Sequence, residues 1–146
     1  MPANTHELNE LTCEEIKRLC ADGDVFAGKG LHEAAVAEYN KAWTLIPEPK
    51  NQWEASTWVL AAIADSCFFL KKIKSARQAL EYAMTCPDGL GNPFLHLRLG
   101  QVLFELQEMD AAADELMRAY MGAGKEIFAS EDQKYLGFLG TRAALQ

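Results

Sequence analysis

The residues able to do acid–base, nucleophilic or metal chemistry here are three histidines, four cysteines and adjacent carboxylates such as Glu14–Glu15 and Glu131–Asp132. His6, His32 and His96 stand far apart along the chain. None belongs to an H-E-x-x-H pair, which would set two imidazoles on one helix face around zinc. Cys13, Cys20, Cys67 and Cys86 contain no C-x-x-C spacing. Cys13 and Cys20 are seven apart and share a helix face, yet no histidine follows at ligand spacing, so no zinc site is expected. The four read as free, half-buried thiols of a reducing compartment. Glu14–Glu15 and Glu131–Asp132 are neighbours, and neighbours on a helix face different ways. Both pairs fall in expected first helical turns, where acids suit the helix dipole. No glycine-rich phosphate loop occurs and no Ser–His–Asp arrangement is suggested. The chemistry-bearing residues thus point away from an enzyme and imply no cofactor.

Charge and hydropathy set the next limits. The net charge is −7 and the isoelectric point about 4.9. An acidic chain repels a phosphate backbone, so nucleic acid is excluded as a partner and a basic protein is favoured. The opening "MPANTHELNE" is polar, without the apolar core of a secretory signal. "TWVLAAIADSCFFL", the longest apolar stretch, is interrupted by Asp65 and too short for a bilayer. A cytoplasmic protein with no membrane contact is expected. At 146 residues, one domain over 1–146 can bury a core without disulfides or metal.

Helical signals dominate, and strand signals are nearly absent. Thr12 with Glu15 reads as a capping box. Asn92–Pro93 reads as an N-cap followed by a first-turn proline. Ser130 with Gln133 reads as a second capping box. Pro47 and Pro87 stop the apolar runs before them. The pattern predicts seven helices, over 13–28, 31–46, 51–71, 73–86, 93–106, 109–122 and 130–144.

These helices repeat on one ruler. Gly23, Ala35, Tyr39 and Ala42 fall at the same offsets as Gly100, Ala112, Leu116 and Ala119. Ala64, Ala76, Leu80 and Ala83 fall there too. Two antiparallel helices approach to about 8 Å only where one presents almost no side chain. The small residues therefore mark hairpin crossings, and Tyr39, Leu80 and Leu116 fill the space beside them. "RLGQVLFELQEMDAAADELMRAY" carries the pattern most clearly.

The pattern resembles the tetratricopeptide repeat, a helix–turn–helix of 34 residues with small residues at its crossings. The resemblance covers roughly 16–124, with units at about 16–49, 57–90 and 93–126. "YLGFLG" reopens the pattern in a final capping helix at about 130–144. The units start 41 and then 36 residues apart. The extra residues around "EPKNQWE" are expected to lengthen the second unit's first helix. The fold class implied is all-α, a right-handed α-solenoid of three hairpins plus that cap.

In such an array the first helix of each hairpin lines a concave wall. The resemblance carries Lys17, Cys20, Asp24 and Ala27 to that wall from the first unit. Trp58, Asp65, Phe68 and Phe69 come from the second, and Phe94, Leu97, Gln101, Phe104 and Glu105 from the third. The last helix adds Lys134, Phe138, Thr141 and Arg142. Asp24, Asp65 and Gln101 occupy the place where some family members grip a terminal carboxylate, so that mode is rejected here. Phe68 and Phe69 are adjacent and cannot share one core contact, which leaves open which of them is exposed. Trp53 and Trp58 offer interface anchors or packing for the first hairpin, and Trp43 reads as core. His96 reads as a packed core residue on a wall-lining helix. "QEMDAAADE" reads as a solvated helix face.

The resemblance implies a protein-binding module with an aromatic and acidic groove. It looks similar to small bacterial repeat proteins that serve as immunity proteins, inhibiting a cognate toxin. A secretion chaperone cradling an extended client segment is the alternative, and a homodimeric scaffold using the aromatic face on itself is a third.

Overall fold

The computed structural model describes residues 8–145. His6 lies outside the described residues. The protein is all-α, with no strand among the described residues. It falls into two compact units, one ending at Leu90 and one beginning at Gly91.

The first unit contains α1 (Glu10–Gly28), α2 (His32–Thr44), a 3₁₀ turn (Lys50–Gln52), α3 (Glu54–Phe69) and α4 (Ile73–Ala83). α1 pairs with α2 and α3 with α4, while α3 also packs against α2 and α1. The second unit contains α5 (Pro93–Glu105), α6 (Met109–Ala123), a 3₁₀ turn (Lys125–Phe128) and α7 (Gln133–Gly140). α5 pairs with α6, and α6 carries α7 and the 3₁₀ turn.

The small-residue ruler marks the crossings. A Cβ on Gly23 would fall into the Tyr39 ring. One on Gly100 would sit 2.6 Å from Leu116 Cδ2 and 2.7 Å from its Cγ. Ala35, Ala64, Ala76, Ala112, Leu80 and Leu116 are all fully buried. So are Ala42, Ala83 and Ala119. Around the first crossing, Ile16, Leu19, Ile46 and Val59 close a core with Tyr39.

The three hairpin turns are built alike. Gly30, Lys71 and Gln107 hold φ of 78°, 65° and 67°. The next residue's N–H donates back to the carbonyl of Phe26, Cys67 or Leu103, at 2.9, 2.8 and 2.9 Å. That residue, Leu31, Lys72 or Glu108, then offers its own carbonyl to the N–H of Ala35, Ala76 or Ala112. Each left-handed residue thus ends one helix while its successor caps the next. The 41- and 36-residue spacings recur at these turns. A side chain is strained at such a φ, and glycine is not. Lys71→Gly and Gln107→Gly are each expected to raise stability by about 0.5–1 kcal/mol, read as a higher urea midpoint.

Helix starts differ from the sequence reading at three places. α1 begins at Glu10 because Asn9 caps it, its side chain accepting from Thr12 N–H at 2.9 Å. Thr12 is therefore inside the first turn, not the cap. α7 is capped by Asp132, which accepts from Lys134 N–H at 2.9 Å, and Ser130 lies before it. Asn92 caps α5 as expected, accepting from Phe94 and Leu95 N–H. The third difference is "EPKNQWE", which does not lengthen α3. It forms the 3₁₀ turn, and α3, with 16 residues, is shorter than α1, with 19. Lys50 holds the turn down by donating to the Trp43 and Ile46 carbonyls at the end of α2, at 2.8 and 2.6 Å. A cation there also suits the negative end of the helix dipole.

Candidate functional site

α1 and α3 lie side by side in the first unit, and two depressions run along their seam. At the N-terminal ends, about 430 Å³ is lined by Glu10, Glu14 and Lys17 from α1 with Glu54 and Trp58 from α3. At the C-terminal ends, about 350 Å³ is lined by Asp24 and Ala27 from α1 with Asp65 and Phe69 from α3. α2 contributes His32 and Tyr39 to this second depression.

Helical spacing explains the grouping on α3. Trp58, Asp65 and Phe69 are separated by seven and four residues, which sets them on one stripe. Trp58 is 41% exposed and Phe69 54%, although α3 is otherwise largely buried. Phe69 is thus the exposed member of its pair, and Phe68 is half-buried beside it with ring centroids 5.8 Å apart.

Each exposed ring has a polar companion. Lys17 Nζ stands 5.7 Å from the centre of the Trp58 ring. The His32 ring stacks on Phe69 at 5.1 Å and 24°, and its Nδ1 lies 3.4 Å from Ser66 Oγ. Tyr39 donates its hydroxyl to Asp24 Oδ1 at 2.7 Å. Burial, then the bond to Asp24, then the charges of Asp24 and Asp65 push the Tyr39 hydroxyl far above its usual range. Burial, then Asp24, pushes the half-buried Cys20 thiol up to about 11. Cys20 therefore stays a thiol at neutral pH and is a poor nucleophile.

In the second unit Phe104 and Phe138 meet. Their rings are 5.2 Å apart, and Phe104 is 5.3 Å from Tyr135, both in edge-on contacts. Lys134 Nζ lies over the Phe104 and Tyr135 rings and 3.0 Å from Glu105 Oε2. Glu105 Oε2 also accepts the Tyr135 hydroxyl at 2.7 Å. Arg142 stands 5.1 Å over Phe138 and pairs with Asp110. These rings knit α7 to α5, with Tyr135 buried and Phe104 and Phe138 half-buried, whereas Phe94, at the start of α5, is 69% exposed.

Two expected wall residues of α5 lie inside. Leu97 is 4% exposed and Gln101 is fully buried. Gln101 is held there because its amide is satisfied twice. Its Oε1 accepts from Arg98 Nη1 at 2.7 Å, and its Nε2 donates to Glu131 Oε1 at 2.8 Å. Arg98 Nη1 reaches the same Glu131 oxygen at 3.1 Å. His96 is buried too, tying the α5 entry to α6. Gly91 N–H donates to its Nε2 at 2.9 Å, so Nδ1 carries the proton toward Glu115 Oε1 at 2.6 Å.

Sequence reasoning missed several of these parts. The Glu131 anchor joins residues 30 and 33 apart, and the His32–Phe69 stack joins residues 37 apart. No local periodicity reports such contacts. Phe128, buried in the second 3₁₀ turn, stands in a segment too short to show a helical repeat.

Among the described residues, no three His, Cys, Asp or Glu side chains gather as a metal site. No helix among the described residues is long and apolar enough to cross a membrane. No protein-family model matches this sequence, and no curated protein matches it.

Proposed function

We propose that this chain is a non-enzymatic protein-binding module, a tetratricopeptide-like α-solenoid whose α1–α3 face receives another protein. One observation carries the reading. Trp58 and Phe69 lie exposed on one stripe of α3 while the small crossing residues around them are buried. Exposed aromatics in a depression, rimmed by charge, are what interface anchors look like. The narrower form of the proposal is an immunity protein for a bacterial toxin. Net charge −7 suits a basic toxin that acts on nucleic acid.

Copurification from the native host tests this. Wild type should retain a specific protein, and Trp58→Ala with Phe69→Ala should weaken that association by at least about tenfold. Circular dichroism should stay unchanged, since both side chains are exposed. An immunity role further requires that the captured protein be toxic alone and inactive in the complex. A client held through a short unfolded segment would favour the chaperone alternative. Capture that is indifferent to both substitutions would overturn the docking face.

A further inference from the structure

We infer that α7 is the first helix of an incomplete hairpin, and that its open side receives an amphipathic helix of another protein, built like α2, α4 and α6. This second docking face does not depend on the one between α1 and α3.

α5 shows what a complete hairpin looks like. His96, Leu99, Gly100 and Leu103 are buried there. α6 reaches Gly100 through Leu116 and His96 through Glu115. The residues 37 places further on are Gln133, Leu136, Gly137 and Gly140. In α7 Leu136 is half-buried and the other three are exposed. Gly23 and Gly100 are each closed by the following helix, through Tyr39 and Leu116, but a Cβ on Gly137 would meet nothing within 4 Å. The segment after α7 leaves that crossing open. A Cβ on Gly140 would approach only Leu145 Cδ1, at 3.9 Å. Between α6 and α7 there is also a depression of about 470 Å³, lined by Ala113, Met117, Leu139 and the Asp110–Arg142 pair.

Continuity with the hairpin interface identifies the occupant. Each closed crossing takes a helix with a small residue, a large one four places on and an alanine three beyond that. These are Ala35, Tyr39 and Ala42, then Ala76, Leu80 and Ala83, then Ala112, Leu116 and Ala119, and all are buried. The small residues let the two backbones close to about 8 Å, and the large one fills the space beside the crossing. A helix presenting that stripe finds at Gly137 the same missing side chain. An extended segment, whose side chains alternate between two faces, cannot present it.

The test uses the full, isotope-labelled chain and a synthetic acetylated peptide with the α6 sequence from Glu108 to Gly124. NMR titration should show saturable shifts at Gly137, Gly140 and Met117. Leu116→Glu in the peptide should weaken binding at least about tenfold. Gly137→Leu in the chain fills the crossing and should weaken it as much, whereas Gly137→Ala, which matches Ala64, should change it less than about threefold. Because a Cβ at 137 meets nothing, both variants should keep or exceed the wild-type urea midpoint, so lost binding is not lost folding. Equal binding to wild type and Gly137→Leu would put the peptide elsewhere, including in the place of the chain's own α6, and overturn the proposal. Absence of shifts at about 1 mM peptide would overturn it too. So would light scattering that shows a wild-type dimer dissolved by Gly137→Leu, since a second copy would then hold the open side. Trp58→Ala with Phe69→Ala should leave the peptide bound, so the two docking faces stand or fall separately.

Discussion

Gly100→Leu is expected to lower the stability of the second unit by about 1–3 kcal/mol or more, enough to unfold its helical hairpin. The reason is geometric. A Cβ at Gly100 would lie 2.6 Å from Leu116 Cδ2 and 3.0 Å from the Leu116 backbone nitrogen. The leucine tip could turn aside, but the backbone of α6 could not move without spreading the hairpin. α6 has no slack to offer, since Ala112, Leu116 and Ala119 are already fully buried. Gly137 provides the internal control. It stands at the same place in the repeat pattern, in α7, but a Cβ there meets nothing within 4 Å. Gly137→Ala should therefore stabilise by about 0.5–1 kcal/mol, as expected for a helical glycine with open space around it. Urea denaturation of both variants checks the pair. Equal effects would mean that glycine at position 100 is merely a weak helix former.

Glu131→Ala should cost about 3 kcal/mol, a larger loss than any single exposed ion pair on this protein would give. Glu131 Oε1 takes hydrogen bonds from both Arg98 and Gln101. Their environment makes that acceptor valuable. The Arg98 side chain is 11% exposed, that of Glu131 18%, and Gln101 is fully buried. Removing the carboxylate takes an acceptor from a buried guanidinium and a buried amide at once. Glu131→Gln keeps an oxygen and should lose about half as much. By contrast, alanine at Glu15, whose partner Arg18 is exposed, should leave the denaturation midpoint nearly unchanged. Denaturation midpoints of the three variants give the order directly.

The legible part of this fold was its repetition. A crossing needs a residue without bulk, so Gly23, Ala64 and Gly100 had to recur with Ala35, Ala76 and Ala112, and the spacing survives insertions elsewhere. The helix caps were harder, because several residues could serve. Asn9 and Thr12 both suit a helix start, and only the chain's path decides that Asn9 does the capping. Asn92 was readable because the proline after it fixes the first turn. On α3, the stripe of Trp58, Asp65 and Phe69 follows from helical spacing alone. What seats Gln101 inside does not. Its burial depends on Glu131, 30 residues away, and no pattern within α5 distinguishes a glutamine facing solvent from one facing a buried arginine. His32 beside Phe69 was hidden in the same way.

We propose the α1–α3 face as the place where another protein sits. Photo-crosslinking in the native host addresses it directly, with a benzophenone amino acid placed in turn at positions 69, 58, 37 and 121. Positions 69 and 58 lie on the face, position 37 is an exposed site on α2, and position 121 is an exposed site in the second unit. A covalent adduct with one partner is expected from 69 and 58, with little or none from 37 and 121. Adducts arising only from 37 or 121 would place the partner elsewhere and contradict it.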